Sequence, residues 1–261
     1  MADSDIVEEI DTPQLAYQSV ERPARAALGL IVLQSDETVD PDFRRLIPFE
    51  DVRVYPSRVR CRDEVTLESL PEMRETLPEA AALLPDAADL RAIGYGCTSA
   101  SAVMGEEAVA DLFERVWPGV PSTNPLTALK AACRTLGIER LAIVSPYVPD
   151  VSAALIRRLR AAGVEVPAVA SFGEKAERVV ARIAPASVRD AVLEIGAEAD
   201  CDAVFASCTN LRAYEVLETA ERALGRPVLC SNQVLAWHMM RLAGLDDPIP
   251  GAGRLAAARL A

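Results

Sequence analysis

Short apolar runs alternate with stretches of helical spacing along most of this 261-residue chain. Residues 27–33, 141–145, 164–170 and 227–230 are apolar over the length of a buried strand, and residues 52–60 alternate as a half-buried strand does. Between these runs, apolar residues recur every three or four positions, and glycines such as Gly137 and Gly225 follow the helical stretches. This alternation predicts an α/β fold, with parallel sheets and helices on both of their faces.

One segment of the pattern occurs twice. Residues 89–99 read Asp-Leu-Arg-Ala-Ile-Gly-Tyr-Gly-Cys-Thr-Ser, and residues 200–210 read Asp-Cys-Asp-Ala-Val-Phe-Ala-Ser-Cys-Thr-Asn. In both halves, an apolar run of strand length lies about 65 residues before the cysteine. The repetition predicts two pseudo-symmetric α/β domains with the active site between them.

The predicted domain boundary lies at residues 118–125, where Pro, Gly, Ser and Asn cluster. The first domain is expected to comprise residues 26–124, completed by 231–261, and the second domain residues 125–230. Residues 1–25 are acidic and irregular and are predicted to form an N-terminal arm, a candidate for a contact in a homo-oligomer.

Four polar turns follow predicted strands, at residues 34–38, 97–99, 146–147 and 208–210. Ligands of open parallel sheets bind beyond the carboxyl ends of the strands, so these turns are expected to meet at one crevice. Two of the turns carry the repeated cysteines, Cys97 and Cys208. A single cysteine in a strand is most often a small core residue, but a matched pair at matched strand ends favours a catalytic role.

Thiols in these positions suit carbon-acid chemistry. A thiol at the start of a helix lies at the positive end of the helix dipole, which is expected to lower its pKa. A thiolate can remove a proton from carbon or add to an electron-poor double bond, and a second thiol can return the proton. Neighbouring amides and hydroxyls can hold a carboxylate or a developing enolate. The candidate substrate-binding residues are Asp36, Thr98, Ser99, Tyr147, Thr209 and Asn210.

Composition narrows the class of protein. Hydrophobic residues make up 51% of the chain, so a large core needs no disulfides, and the net charge of −12 argues against nucleic acid or an anionic membrane as a partner. With one histidine, His238, and no Cys-x-x-Cys pair, we expect no metal site. The absence of a signal-peptide pattern and of an apolar run of roughly 20 residues predicts a cytoplasmic, reduced protein.

The paired Gly-Cys-Thr-Ser and Ser-Cys-Thr-Asn motifs resemble those of the aspartate/glutamate racemase superfamily. The stretches Leu28-Gly-Leu-Ile-Val, Val144-Ser-Pro-Tyr147-Val and Pro227-Val-Leu-Cys-Ser-Asn-Gln-Val-Leu-Ala-Trp237 are similar to its maleate isomerase and arylmalonate decarboxylase branch, close to the ectoine-utilisation protein A group. The resemblance implies two pseudo-symmetric domains and no metal, nucleotide or pyridoxal phosphate cofactor.

The resemblance also implies roles for individual residues. In maleate isomerases the first cysteine, here Cys97, attacks the olefin, and the second, here Cys208, handles the proton. Tyr147 matches a carboxylate-binding tyrosine, and Thr98 and Ser99 match an amide-donating turn. Arylmalonate decarboxylases have glycine in place of the first cysteine, so the presence of both thiols favours isomerisation or racemisation.

This chain departs from the maleate isomerases at Asp36, where they carry asparagine. The electrostatic repulsion between the Asp36 carboxylate and a dicarboxylate substrate would cost about 4 kcal/mol, for unit charges 4 Å apart at an effective dielectric constant of 20. Either Asp36 points away, or the substrate differs, for example by bearing an amino group.

The resulting hypothesis is a cofactor-independent, two-cysteine isomerase or racemase of a small carboxylate, either a maleate-like acid or an amino-acid derivative. One alternative is an arylmalonate-type decarboxylase that uses Cys208 as the proton donor. The other is a non-catalytic homologue that binds a ligand or regulates.

Overall fold

Two parallel sheets of four strands make up the centre of the chain, as seen in a computed structural model that describes residues 13–19 and 24–261. Most of the predicted N-terminal arm, residues 1–12 and 20–23, lies outside the described residues. Residues 13–19 are exposed and have no regular secondary structure.

The strand order is the same in both sheets. The first sheet contains β1 (Ala26–Leu33), β2 (Val52–Val59), β3 (Leu90–Gly96) and β4 (Ser122–Thr123), in the order β2-β1-β3-β4. The second contains β5 (Leu141–Tyr147), β6 (Val169–Glu174), β7 (Ala203–Ala206) and β8 (Val228–Cys230), in the order β6-β5-β7-β8. In each sheet, the strand that comes first in the sequence lies between the second and the third, and the fourth lies at the edge beside the third. The shared order confirms the predicted fold class of two similar parallel α/β halves.

Helices connect the parallel strands. They are α1 (Val39–Leu46), α2 (Met73–Ala82), α3 (Thr98–Met104), α4 (Glu106–Glu114), α5 (Pro125–Leu136), α6 (Pro149–Ala161), α7 (Glu177–Val180), α8 (Pro185–Glu198), α9 (Leu217–Leu224) and α10 (Ser231–Leu242). Short 3-10 turns occur at Leu70–Glu72, Tyr214–Val216 and Gly253–Leu255.

Helix α10 follows the second sheet in sequence but packs against α1 and β3 of the first half, and against α5. All of its residues from Ser231 to Arg241 are buried, so its polar side chains need partners within the protein. The Arg241 guanidinium donates hydrogen bonds to the carbonyls of Leu245, Ala256 and Ala258, which fix the C-terminal segment over the helix. Helix α10 thus links the end of the second sheet to the first half.

Three local predictions differ from the structure. The spacing of apolar residues after the first Cys-Thr turn predicts one helix from Ser99 to about Trp117, but the structure divides it into α3 and α4 at Gly105, whose φ of 94° is accessible to glycine but rarely to other residues. The predicted joint at 118–125 contains β4, and the strand predicted at 164–170 is instead β6, at Val169–Glu174. Strand β6 lies at a sheet edge with alternate residues exposed, so it lacks the continuous apolar run that marks the central strands. The apolar Val164 and Val166 are buried before the strand begins.

Side chains from the two halves of the chain pack together in the hydrophobic interior. Each of the two clusters of buried apolar residues contains members from the first and the second half. Cys97, Tyr147 and Cys208 belong to one of these clusters. Hydrogen bonds between Tyr147 and Cys208 and from Thr209 to Gly96 show that the ends of β3, β5 and β7 meet in the interior.

Candidate active site

The two Cys-Thr turns hold each other in place through hydrogen bonds between the halves. The hydroxyl of Thr209 donates to the carbonyl of Gly96, immediately before Cys97, at 3.1 Å. The hydroxyl of Thr98 lies 2.8 Å from that of Ser231, and Ser231 Oγ accepts a hydrogen bond from the amide of Cys208 at 3.0 Å. The residues that flank one cysteine are therefore bonded to the surroundings of the other, which places the two turns face to face.

Cys97 is the N-cap of α3. Its backbone is extended, with φ −150° and ψ 109°, and its Sγ accepts a hydrogen bond from the amide of Ala100 at 3.4 Å. Thr98 and Ser99 occupy the first turn of the helix, where the helix's own carbonyls cannot accept from the amides. These amides are suited to holding an anionic group of a ligand beside the thiol.

Cys208 has a strained backbone. Its φ of 122° is the single positive value for a non-glycine residue in the part of the chain that the structure describes. Such a conformation costs on the order of 1–3 kcal/mol, and strain of this kind concentrates at functional sites. The Ser231 hydroxyl holds the backbone amide, while the amide of Asn210 donates to Cys208 Sγ at 3.3 Å.

A hydrogen-bonded chain leads from Cys208 to a carboxyl group that the sequence did not single out. Cys208 Sγ lies 3.0 Å from the Tyr147 hydroxyl, which donates to Glu177 Oε1 at 2.5 Å. Because Tyr147 gives its proton to Glu177, the thiol is the donor to Tyr147. Asn210 Nδ2 donates to the other oxygen, Glu177 Oε2, at 2.9 Å.

Glu177 reaches this position because α7 begins at a contact between the halves. Residues Glu64 and Ala176 form an antiparallel bridge, supported by hydrogen bonds from Val65 N to Lys175 O and from Glu177 N to Asp63 O, of 2.9 and 3.0 Å. The bridge directs the Glu177 side chain inward, where only 3% of the residue is exposed.

Asp36 lies at the end of β1 and serves partly as a helix cap. Its Oδ1 accepts hydrogen bonds from the amides of Thr38 and Val39, both at 2.8 Å, at the start of α1. Its Oδ2 is buried and has no hydrogen-bond partner among the described residues. The turn is joined to the second half, because Asn210 Oδ1 accepts from the amide of Glu37 at 2.9 Å.

Burial dominates the electrostatics of this group. Burial raises the pKa of both thiols, and the charge of Glu177 raises it further. The prediction that the helix start lowers the pKa of Cys97 is therefore wrong: the amide of Ala100 does lower it, but desolvation is larger. Burial also raises the pKa of the Asp36 and Glu177 carboxyls, and the charge of Asp36 adds to the effect on Glu177.

The predicted site residues occupy the same region, but several have structural partners. The hydroxyls of Thr98 and Thr209 link the halves, Asn210 joins Glu37 to Glu177, and Ser99 is buried in the first turn of α3. Sequence reasoning missed Glu177 and the role of Ser231 between the two turns. His238 lies elsewhere: its Nδ1 is 2.7 Å from the Thr123 hydroxyl and its ring stacks on Trp237.

Within the described residues, no group of three or more His, Cys, Asp or Glu side chains is arranged to hold a metal ion. None of the helices in the same part of the chain combines the length and apolar character needed to cross a membrane.

Known proteins identify the family. The sequence profile of the arylmalonate decarboxylase family matches residues 28–256. The chain belongs to the arylmalonate decarboxylase family. The arylmalonate decarboxylase of Bordetella bronchiseptica is 32% identical over 139 residues, which are 52% of this chain and 58% of that protein.

Maleate isomerases match this member of the arylmalonate decarboxylase family over more of its length. That of Pseudomonas putida is 26% identical over 245 residues, covering 87% of this chain and 96% of that enzyme. A structure of the Nocardia farcinica maleate cis-trans isomerase, with a covalently bound succinylcysteine intermediate, superposes with a TM-score of 0.80 at 26% identity, over 89% of this chain and 98% of that one. The predicted relationship to the maleate isomerase and arylmalonate decarboxylase branch is confirmed, and the closer link to the ectoine-utilisation group stays a prediction.

Proposed function

We propose that this protein is a cofactor-independent isomerase or racemase of a small carboxylate, with Cys97 and Cys208 as its two reacting groups. The observation that carries the proposal is the pair of facing Cys-Thr turns, in which each thiol lies at the end of a buried strand. Two proton-carrying groups on opposite sides of one carbon are what inversion at that carbon requires.

The substrate carboxylate is expected to bind at the first turn of α3. The amides of Thr98 and Ser99 lie there beside Cys97, at the positive end of the helix. Negative charge that develops when a proton leaves the adjacent carbon would be stabilised by the same amides.

The chain from Cys208 through Tyr147 to Glu177 supplies a route for forming a thiolate. As the Cys208 proton moves to the Tyr147 oxygen, Tyr147 passes its own proton to Glu177 Oε1, over the observed contacts of 3.0 and 2.5 Å. The products are a thiolate, a neutral tyrosine and a neutral carboxyl, so the net charge is unchanged.

Either of two reactions can follow. In racemisation, the Cys208 thiolate removes a proton from carbon and the Cys97 thiol delivers another to the opposite face. In cis-trans isomerisation, the Cys208 thiolate takes the proton of Cys97, and the Cys97 sulfur adds to one olefin carbon while Cys208 gives that proton to the other. The new single bond rotates, Cys208 removes the proton again, and the C–S bond breaks to give the trans acid and the Cys97 thiolate. The succinylcysteine adduct of the Nocardia farcinica relative is a product of sulfur addition in that enzyme.

Proton NMR in D2O tests the proposal. The panel contains maleate, both enantiomers of aspartate and glutamate, and an arylmalonate. We expect loss of an α-proton signal or conversion of maleate to fumarate, and we expect this activity to be abolished in Cys97→Ser and Cys208→Ser. Cys133→Ser is the matched control, because Cys133 is a buried thiol of α5 outside the site. Full turnover in both active-site variants would rule out the two-thiol mechanism.

Decarboxylation is the second candidate, favoured by the match to the Bordetella bronchiseptica enzyme. It needs one proton donor, Cys208, so Cys97→Gly would retain most of the activity. If the arylmalonate is the panel member consumed and Cys97→Gly remains active, decarboxylation replaces isomerisation as the proposed reaction.

A further inference from the structure

Only one of the two carboxyl oxygens of Asp36 accepts a hydrogen bond from the described residues. Its Oδ1 accepts from two amides, but Oδ2 is buried without a donor, and only 2% of the residue is exposed. A buried acceptor without a partner is uncommon in folded proteins.

The Thr209 hydroxyl is a candidate donor to Asp36, and its hydrogen-bonding contact lowers the pKa of the Asp36 carboxyl. The hydroxyl has a single proton, however, and donates it to the carbonyl of Gly96 at 3.1 Å. The Asp36 turn is bonded to the relay through Asn210, which accepts from the amide of Glu37 and donates to Glu177 Oε2, both at 2.9 Å. The charge of Asp36 also raises the pKa of Cys208 and of Glu177. The free oxygen therefore belongs to the same site as the reacting groups.

The two carboxyls of this site lack an ion-pair partner among the described residues. Neither Asp36 nor Glu177 forms an ion pair in the described part of the chain. The charge of Arg58 lowers the pKa of Asp36, but its Nη1 donates to the backbone carbonyls of Leu33 and Asp36, at 2.9 Å each, and not to the carboxyl. The ionisable side chains that shift the pKa of the two thiols are acids: Asp36, Cys61, Tyr95, Tyr147 and Glu177.

We propose that the substrate is a small carboxylate that also carries a protonated amino group, and that Asp36 Oδ2 accepts a hydrogen bond from this group. The inference rests on the proposed function, since it assigns a substrate class to the same site. The ammonium supplies the donor that Oδ2 lacks and the positive charge that two buried carboxyls favour.

Isothermal titration calorimetry on the full chain, at neutral pH, tests this with ligands that differ by one amine. The pairs are succinate with aspartate, and butyrate with 2-aminobutyrate, using both enantiomers of each amino acid. We expect the amine-bearing member to bind about ten- to hundredfold more tightly, the value of one hydrogen bond to a charged group. Asp36→Asn keeps an oxygen to cap α1 but replaces the free oxygen by an amide donor, so the preference should disappear.

Asp40→Asn is the matched control, because it removes the same charge four residues away, where Asp40 pairs with Arg44 on the surface of α1. It should retain the wild-type preference. Equal binding within the pairs, no binding of either member, or tighter binding of succinate by the wild-type protein would overturn the inference. Tighter binding of succinate would mean that Asp36 is protonated and donates to an anion.

The outcomes separate this inference from the proposed function. Conversion of maleate without a preference for amines would leave the isomerase proposal intact and refute the substrate class. A preference for amines without exchange of any α-proton in D2O would support the binding site and contradict catalysis.

Discussion

Replacing Glu177 by glutamine should change two properties of Cys208 in opposite directions. The carboxylate now opposes formation of the thiolate in the free protein, because its charge raises the pKa of the thiol. In the proposed reaction, however, the same carboxylate is the final acceptor of the thiol's proton. Glu177→Gln should therefore make the thiol more reactive toward a small alkylating reagent while it slows turnover.

The contact distances set the size of both effects. Contacts of 3.0 Å from Cys208 Sγ to the Tyr147 oxygen, and 2.5 Å from there to Glu177 Oε1, place the sulfur within about 5.5 Å of the carboxyl. At an effective dielectric constant of 20, a unit charge at that distance acts on a thiolate with about 3 kcal/mol. Removing it should speed alkylation by up to about a hundredfold. Loss of a positioned base typically slows catalysis by roughly 10²–10⁴-fold.

Iodoacetamide labelling followed by mass spectrometry measures the first effect at Cys208, and α-proton exchange in D2O measures the second. Glu174→Gln is the control, because Glu174 lies three residues earlier on the half-exposed strand β6 and should change neither rate. If alkylation and turnover both slowed, Glu177 would be acting only as a structural support. If both rates were unchanged, the relay would be wrong.

Three further outcomes follow from the geometry. Cys208→Gly should have a free energy of unfolding about 1 kcal/mol higher than Cys208→Ser in urea titrations, because glycine accepts the φ of 122° without strain; equal stability would remove the argument for strain. Ser231→Ala leaves the Cys208 amide and the Thr98 hydroxyl without a partner, and should lower the free energy of unfolding by about 3 kcal/mol. If Ser231→Ala lowered the free energy of unfolding by less than an ordinary surface substitution does, the two turns would not depend on the Ser231 hydroxyl. Burial raises the pKa of Asp42 to about 7, so folding favours the protonated form of this side chain. The contribution of Asp42 to the free energy of unfolding is therefore complete below about pH 4. It is lost as the pH rises through about 7, by at most about 4 kcal/mol. Asp42→Asn should abolish this part of the pH dependence in thermal unfolding, and the new amide can donate to the unpartnered Oδ1 of Asn232. An unchanged pH profile would contradict the assignment.

The cysteines were predictable because their positions are a property of local sequence. Cys97 and Cys208 each end a continuous apolar run, and such a run predicts a strand buried on both faces whichever residues surround it later. The strand ends of a parallel sheet lie at one edge, so the crevice followed from the alternation of strands and helices. Strand β6 was predicted too early in the chain because an edge strand has no such run to mark its position.

Glu177 was not predictable in the same way. It begins a four-residue helix and looks like any acidic residue in the first turn of a helix. Its partners Tyr147 and Asn210 lie 30 and 33 positions away in sequence, and it is turned inward by a bridge to residue Glu64 of the other half. No pattern along the chain marks a contact of that separation.

The sequence by itself determined the α/β class, the two similar halves and the pair of thiols, because hydrophobic periodicity is imposed by strand and helix geometry within a few residues. Only the tertiary structure decided the ionisation of the site. The helix start favours a thiolate at Cys97, as the sequence suggested, but the desolvation that overrides it comes from residues packed around the thiol from both halves. Desolvation depends on everything that excludes water from a group, and that is a property of the folded chain as a whole.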